Sequence, residues 1–122
     1  MRIFILEDNL AIAQLVLLLL KRKGHTADAF HNIKNLLKAT ESIVPDLFIL
    51  DVMLPDGNGM ELAREFKSFD FYKNVPILIM SANVDCAEES KKLYMVDYIA
   101  KPFDIKDFDK RLEVLLKLAN FN

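Results

Sequence analysis

Five short apolar runs alternate along the chain with longer stretches of helical spacing, and this alternation limits the fold more than any other feature. The central run, Leu47-Phe-Ile-Leu50, is the clearest. It leads into Asp51 and is stopped by Pro55 and the turn Asp56-Gly57-Asn58-Gly59. A run this apolar, bounded by breakers, reads as a strand buried on both faces. Arg2–Leu6, Thr26–Phe30, Ile77–Met80 and Asp97–Ala100 read the same way, with Thr26–Phe30 the weakest.

Helices are predicted between them. Asp8 or Asn9 caps a segment that runs to Lys23 and ends at Gly24. Ile33–Ile43, Met60–Phe69, Asp85–Leu93 and Asp104–Leu118 follow, with Val44-Pro45-Asp46 and Lys73-Asn74-Val75-Pro76 as breaks. The predicted inward faces are Ile12, Leu15, Val16, Leu19 and Leu20 in the first helix, and Leu62, Phe66 and Phe69 in the third. In the last they are Ile105, Phe108, Leu112, Leu115 and Leu116. Strands alternating with helices imply a parallel sheet covered on both faces. Right-handed crossovers then favour the doubly wound α/β order 2-1-3-4-5.

The 122 residues suffice for one domain, so residues 1–122 are read as a single unit with no effector domain after Leu118. A net charge of −2 gives no electrostatic footprint for nucleic acid or a membrane surface. The apolar run Leu10–Leu20 is too short to span a bilayer, and Glu7 and Asp8 break the start that a signal peptide needs. Cys86 is the single cysteine, which excludes an internal disulfide and fits a reducing compartment. A cytoplasmic location is expected. His25 and His31 lack metal-ligand spacing and are read as surface residues.

In a parallel sheet the strand ends share one edge, where ligands bind. Here those ends carry Glu7 and Asp8, Asp51, Ser81 and Lys101. Three carboxylates together repel, and a divalent cation resolves that. Few hard oxygen ligands suit Mg²⁺, which keeps its waters and accepts a phosphoryl oxygen. A carboxylate, a metal, a lysine and a hydroxyl make a site for phosphoryl transfer.

Ile5-Leu-Glu-Asp-Asn9, Pro45-Asp-Leu-Phe-Ile-Leu-Asp51, Met53-Leu-Pro55 with Gly59, Ser81-Ala82 and Tyr98-Ile-Ala-Lys-Pro-Phe103 occur in order. Together they resemble the receiver domain of two-component response regulators. The resemblance implies a flavodoxin-like (βα)5 three-layer sandwich and a phosphorylation-dependent switch or relay. Asp51 would accept a phosphoryl group from a sensor histidine kinase or a histidine phosphotransfer protein. Asp8 and Asp51 would hold Mg²⁺, with Glu7 acting through water and Met53 through its backbone carbonyl. Ser81, Ala82 and Lys101 would surround the phosphoryl group, and the Lys101–Pro102 bond would be cis. Tyr98 would be the aromatic switch that follows Ser81, with the small Ala82 leaving its ring room. Met53 and Asn83 occupy the positions that tune dephosphorylation. The chain departs from the family at Tyr94-Met95-Val96-Asp97, where a Gly-containing turn is common, and at Ser81, where threonine is commoner.

Leu10, Leu17 and Leu18 are predicted to point outward. By the same resemblance Leu10, Gln14, Leu17, Leu18, Pro102 and Phe103 would form the kinase docking face. A monomer is expected, with Asp97 and Arg111 available for charge pairs in a phosphorylation-dependent dimer. The downstream target is unassigned. One alternative is a receiver fragment of a larger transcriptional regulator or hybrid kinase. Another is a phosphatase working through an aspartyl-phosphate, which usually has a second acid two residues after the nucleophile; Met53 stands there instead.

Overall fold

The computed structural model describes residues 1–120. Strands β1 (Arg2–Leu6), β2 (Thr26–Phe30), β3 (Leu47–Asp51), β6 (Ile77–Ser81) and β7 (Val96–Ala100) form one parallel sheet in the order β2-β1-β3-β6-β7. This is the predicted order once a small hairpin is set aside. That hairpin, β4 (Met53–Leu54) with β5 (Gly57–Asn58), is antiparallel and was not legible as strand. The helices are α1 (Leu10–Arg22), α2 (Ile33–Thr40), α3 (Gly59–Ser68), α4 (Asp85–Lys91) and α5 (Ile105–Asn120).

Two apolar layers sandwich the sheet. Ile3, Ile5, Leu47, Ile49, Leu78 and Met80 face α1 and α5, meeting Val16, Leu20, Phe108 and Leu112. The alternate residues Phe4, Leu6, Phe48, Leu50, Ile77 and Ile79 face α2, α3 and α4. The side-chain period of 2 thus divides one continuous apolar run between two cores. Phe48 stacks on Phe66 of α3 with centroids 4.5 Å apart.

Helix ends follow local chemistry. Asn9, Asn32 and Asn58 cap α1, α2 and α3, each accepting from backbone N–H groups in the first turn. At the end of α1, Gly24 takes φ +87°; its N–H donates to the Lys21 carbonyl and that of His25 to the Leu20 carbonyl. This is a Schellman motif, and it stops the helix where the sequence placed its end.

Several predicted faces need correction. Leu15 is 40% exposed, whereas Leu17 is half-buried against the α1–α5 core. Ala13, Val16 and Leu20 set the inward direction, and Leu17 follows Ala13 by one turn while Leu15 lies opposite. Phe69 and Ile105 are exposed because each lies at a helix end, outside the regular period. Helix α2 stops at Thr40, leaving Ile43 exposed in the loop before Pro45.

Candidate functional site

The C-terminal edge of the sheet opens into a cavity of about 570 Å³ lined by Glu7, Asp8, Asn9, Ile12, Asp51, Met53, Ser81, Ala82, Asn83 and Lys101. Adjacent parallel strands bring these residues together from four places in the sequence.

Asp51 ends β3 and is buried. Its Oδ1 accepts from the Val52 N–H at 2.8 Å and lies 3.1 Å from the Lys101 Nζ. Lys101 also reaches Glu7 Oε1 at 2.5 Å. Glu7 is fully buried, and its other oxygen accepts from the Asn9 N–H at 3.1 Å. Burial pushes the Glu7 carboxyl up to about 7, with the neighbouring Asp51 adding to the rise while Lys101 and the Asn9 N–H oppose it. For Lys101, burial favours the neutral amine, but the hydrogen bonds to Glu7 and Asp51 outweigh it and its pKa rises. The lysine is therefore charged and shared between two acids.

Asp8, by contrast, is exposed at the mouth. One oxygen from each of Glu7, Asp8 and Asp51 can be chosen so that all lie within 4.8 Å of one another. This set of hard oxygen donors, two buried and one open to solvent, fits a small divalent cation that keeps part of its water shell.

The other wall is Ser81. Its Oγ accepts from the Asn83 N–H at 3.0 Å and lies 3.8 Å from the Cys86 sulfur. The Tyr98 hydroxyl donates to the Ser81 carbonyl at 2.9 Å, so the ring and the hydroxyl-bearing residue are already linked. Burial raises the Tyr98 pKa, with the Cys86 thiol adding to it. The Lys101–Pro102 bond is cis, as expected.

Gly59 explains how the hairpin closes onto Asp51. Its N–H donates to the Val52 carbonyl at 2.8 Å, and a Cβ there would stand 1.8 Å from the Asp51 carbonyl oxygen. Only glycine permits that approach. Met53 projects outward, 80% exposed.

The remaining predicted residues divide. Leu10, Gln14 and Leu18 share the exposed face of α1, joined by Leu15 rather than by Leu17. Leu17 instead lines a separate hollow with Arg2, Phe4 and Ala29 beside β2. Pro102 is exposed, and Phe103 is half-buried, stacked on Phe108 at 5.3 Å. Arg111 pairs within the chain, at 3.1 Å to Asp107 and 3.2 Å to Asp97. Nothing in the sequence marks exposed Val84 beside Asn83, the His31 ring on the Glu7 carbonyl, or the Asp56 carboxylate on the Ile33 and Lys34 N–H groups. A lone valine, a histidine and a turn aspartate carry no pattern by which to find them.

No described helix is long and apolar enough to cross a membrane. Among curated proteins, the virulence transcriptional regulatory protein PhoP of Salmonella choleraesuis is 29% identical over 96% of this chain and 52% of its own length. The response regulator ArlR of Staphylococcus saprophyticus is 33% identical over 95% of this chain and 52% of its own. The chain thus spans about half the length of these curated relatives. The fold is that of the chemotaxis response regulator CheY4 of Vibrio cholerae, with TM-score 0.84, 22% identity, and coverage of 93% of this chain and 97% of that one. It also matches the receiver domain of the sensor histidine kinase PA1611 from Pseudomonas aeruginosa, which has a magnesium ion in its active-site cleft. There the TM-score is 0.82, with 24% identity over 95% of this chain and 97% of that one. The family described as response regulator receiver domain matches residues 3–113, and with the acidic cavity at the sheet's edge this establishes the chain as a receiver domain of two-component systems.

Proposed function

We propose that Asp51 accepts a phosphoryl group from a phosphohistidine on a sensor kinase or phosphotransfer protein, and that the chain acts as a switch or relay. The carrying observation is the charge arrangement. Asp51 is a buried carboxylate at a strand end, held by Lys101 at 3.1 Å and opening onto the cavity. In the transfer, an Asp51 carboxylate oxygen forms the new P–O bond. The P–N bond to the histidine breaks, and its electron pair leaves with the imidazole, which takes up a proton. Lys101, 3.1 Å from the accepting carboxylate, would turn its charge to the incoming phosphoryl oxygens. The Ser81 hydroxyl, whose oxygen accepts from the Asn83 N–H, rotates to donate to them. Mg²⁺ held by Asp8 and Asp51, by Glu7 through water and by the Met53 carbonyl would neutralise charge on the transferring group.

The motion of Ser81 is the route outward. Its carbonyl holds the Tyr98 hydroxyl, so a shift of β6 releases or redirects the ring and changes the α4–β7–α5 surface. The partner face is the exposed side of α1, Leu10, Gln14, Leu15 and Leu18, together with Met53 in the cavity wall and the exposed Val84 and Pro102, which follow the lining residues Asn83 and Lys101 in the chain. Arg111 is engaged by Asp97 and Asp107, which favours a monomer in the unphosphorylated state.

Phosphotransfer profiling against the host's histidine kinases and phosphotransfer proteins tests the reading. Asp51→Asn abolishes labelling. Labelling that survives this change defeats the assignment. Leu18→Glu slows transfer from the kinase while phosphorylation by acetyl phosphate continues; equal loss of both removes the docking face.

A further inference from the structure

We propose that Asp56 is a positioning residue for the metal side of the Asp51 cavity: it fastens the Met53 hairpin to the start of α2, which is itself fastened to the Glu7 turn. The inference rests on the Mg²⁺ reading above.

The hairpin that carries Met53 is only two residue pairs, Met53 with Asn58 and Leu54 with Gly57. So short a ribbon does not hold itself in place in water. Gly59 anchors one end of it beneath Asp51. The tip is anchored by Asp56. Its Oδ1 accepts from the Ile33 N–H at 2.9 Å and its Oδ2 from the Lys34 N–H at 3.0 Å. Both carboxylate oxygens are thus spent on a segment more than twenty positions earlier in the chain. The adjacent Gly57 lies so close to Ile33 that a Cβ on it would come within 2.7 Å of Ile33 Cδ1.

The start of α2 is itself fixed to the turn that carries Glu7 and Asp8, which would hold the other side of the ion. The Glu7 N–H donates to the Phe30 carbonyl at 2.9 Å, and the His31 Nδ1 donates to the Glu7 carbonyl at 2.9 Å. Phe30 and His31 on one side, and the Ile33 and Lys34 N–H groups on the other, therefore join the two sides of the cavity by hydrogen bonds in which the Asn32 side chain takes no part. The Glu7 backbone is held at one end, and the hairpin that carries Met53 at the other.

A cap alone would also explain the two bonds from Asp56, and Asn32 supplies the control. Its Oδ1 accepts from the Asn35 N–H at 2.8 Å, a capping bond that stays within the same helix. Groups that orient metal ligands alter metal affinity by about tenfold or more when removed. A helix cap acts on stability.

The experiment is calorimetric Mg²⁺ titration of the folded 122-residue chain, with stability measured in parallel. Asp56→Ala weakens Mg²⁺ binding by about tenfold, Asp56→Asn weakens it less because one acceptor oxygen remains, and Asn32→Ala lowers stability without changing Mg²⁺ affinity. Wild-type affinity in both Asp56 variants overturns the proposal. So does an equal loss of affinity in Asn32→Ala, which would make helix capping the cause. If Asp56→Ala does not fold, Asp56→Asn alone decides. A wild-type chain that binds no Mg²⁺ overturns the metal reading itself, and the proposal with it.

Discussion

Helices α3 and α4 lie on the same side of the sheet, and each follows a strand that delivers a site residue, Asp51 for α3 and Ser81 for α4. They are held very differently. Helix α3 buries Met60, Leu62, Ala63 and Phe66, and its first residue touches the Asp51 carbonyl. Helix α4 buries only Cys86 and Ser90, both small, and the Ser90 hydroxyl is turned back onto the Cys86 carbonyl. Burial of large apolar side chains contributes about 1.5–3 kcal/mol each, so α3 is secured several times more firmly than α4. The acceptor sits against a fixed element, and the hydroxyl that responds to it sits against a loose one. That division suits a switch, whose moving part must come from the weakly held end of the molecule.

The comparison breaks most sharply at Gly59. Gly59→Ala sets a methyl 1.8 Å from the Asp51 carbonyl and forces α3 away from β3. The expected loss is about 4 kcal/mol or more. Gly24→Ala is the matched control: its φ is +87° but nothing lies within 4 Å, so only backbone strain of about 1 kcal/mol is expected. Urea unfolding monitored by circular dichroism separates the two. Similar losses would mean the Gly59 contact relaxes freely and α3 is not locked to Asp51.

Next come the helix anchors. Phe66→Ala removes a buried ring stacked on Phe48 and is expected to cost about 3–5 kcal/mol. Cys86→Ala should cost about 1 kcal/mol. Amide hydrogen exchange gives the same contrast without mutation, with α4 amides exchanging before those of α3. Equal protection of the two helices would remove the loose-helix argument.

Glu7 sharpens the comparison by pH. Its carboxyl is raised from 4.5 to about 7 in the folded protein. The native state therefore binds this proton more tightly than the unfolded chain does. The associated stability is complete below pH 4.5 and is lost as pH rises through about 7. The loss is of order 3 kcal/mol in metal-free protein. Mg²⁺ restores it at the alkaline end, because the ionised carboxylate then faces a divalent cation in addition to the Lys101 it shares with Asp51. Unfolding with chelator and with excess Mg²⁺, across this range, checks both signs. Glu7→Gln should flatten the metal-free dependence; an unchanged slope would assign it to another group.

Much of this was legible in the sequence because the governing patterns are local. Leu47–Leu50, Ile77–Met80 and their breakers announce buried strands, and topology rules then order them. The residues at their ends follow, since a parallel sheet delivers all its C-terminal ends to one edge. The misread positions depend on what a face meets. Leu15 and Leu17 are the same residue type on one helix, and only the position of the sheet decides which is covered. Asp56 and His31 act through backbone N–H and C=O groups far away in sequence, and backbone partners leave no trace in residue identity. Gly59 is the intermediate case: its place in the motif was readable, but the steric reason for it required the Asp51 carbonyl to be located.

The smallest expected effect concerns the turn before β7, where Met95 stands at φ +58°. Glycine adopts this region freely, so Met95→Gly looks at first like a stabilising change. Two magnitudes oppose each other. Relief of the left-handed strain is worth about 1–2 kcal/mol. Yet the Met95 side chain is buried, and losing it costs about 1.5–3 kcal/mol, to which glycine's extra unfolded-state freedom adds about 0.5–1. Burial wins, and Met95→Gly should destabilise by about 1 kcal/mol. The Met95 carbonyl accepts from the Ile77 N–H at 3.0 Å, so the turn also ties β7 to β6 at the end opposite Ser81. Loosening it should leave Mg²⁺ affinity unchanged while speeding amide exchange in α4 and β7. A stabilised variant would show that the strain, and not the buried thioether, governs this turn.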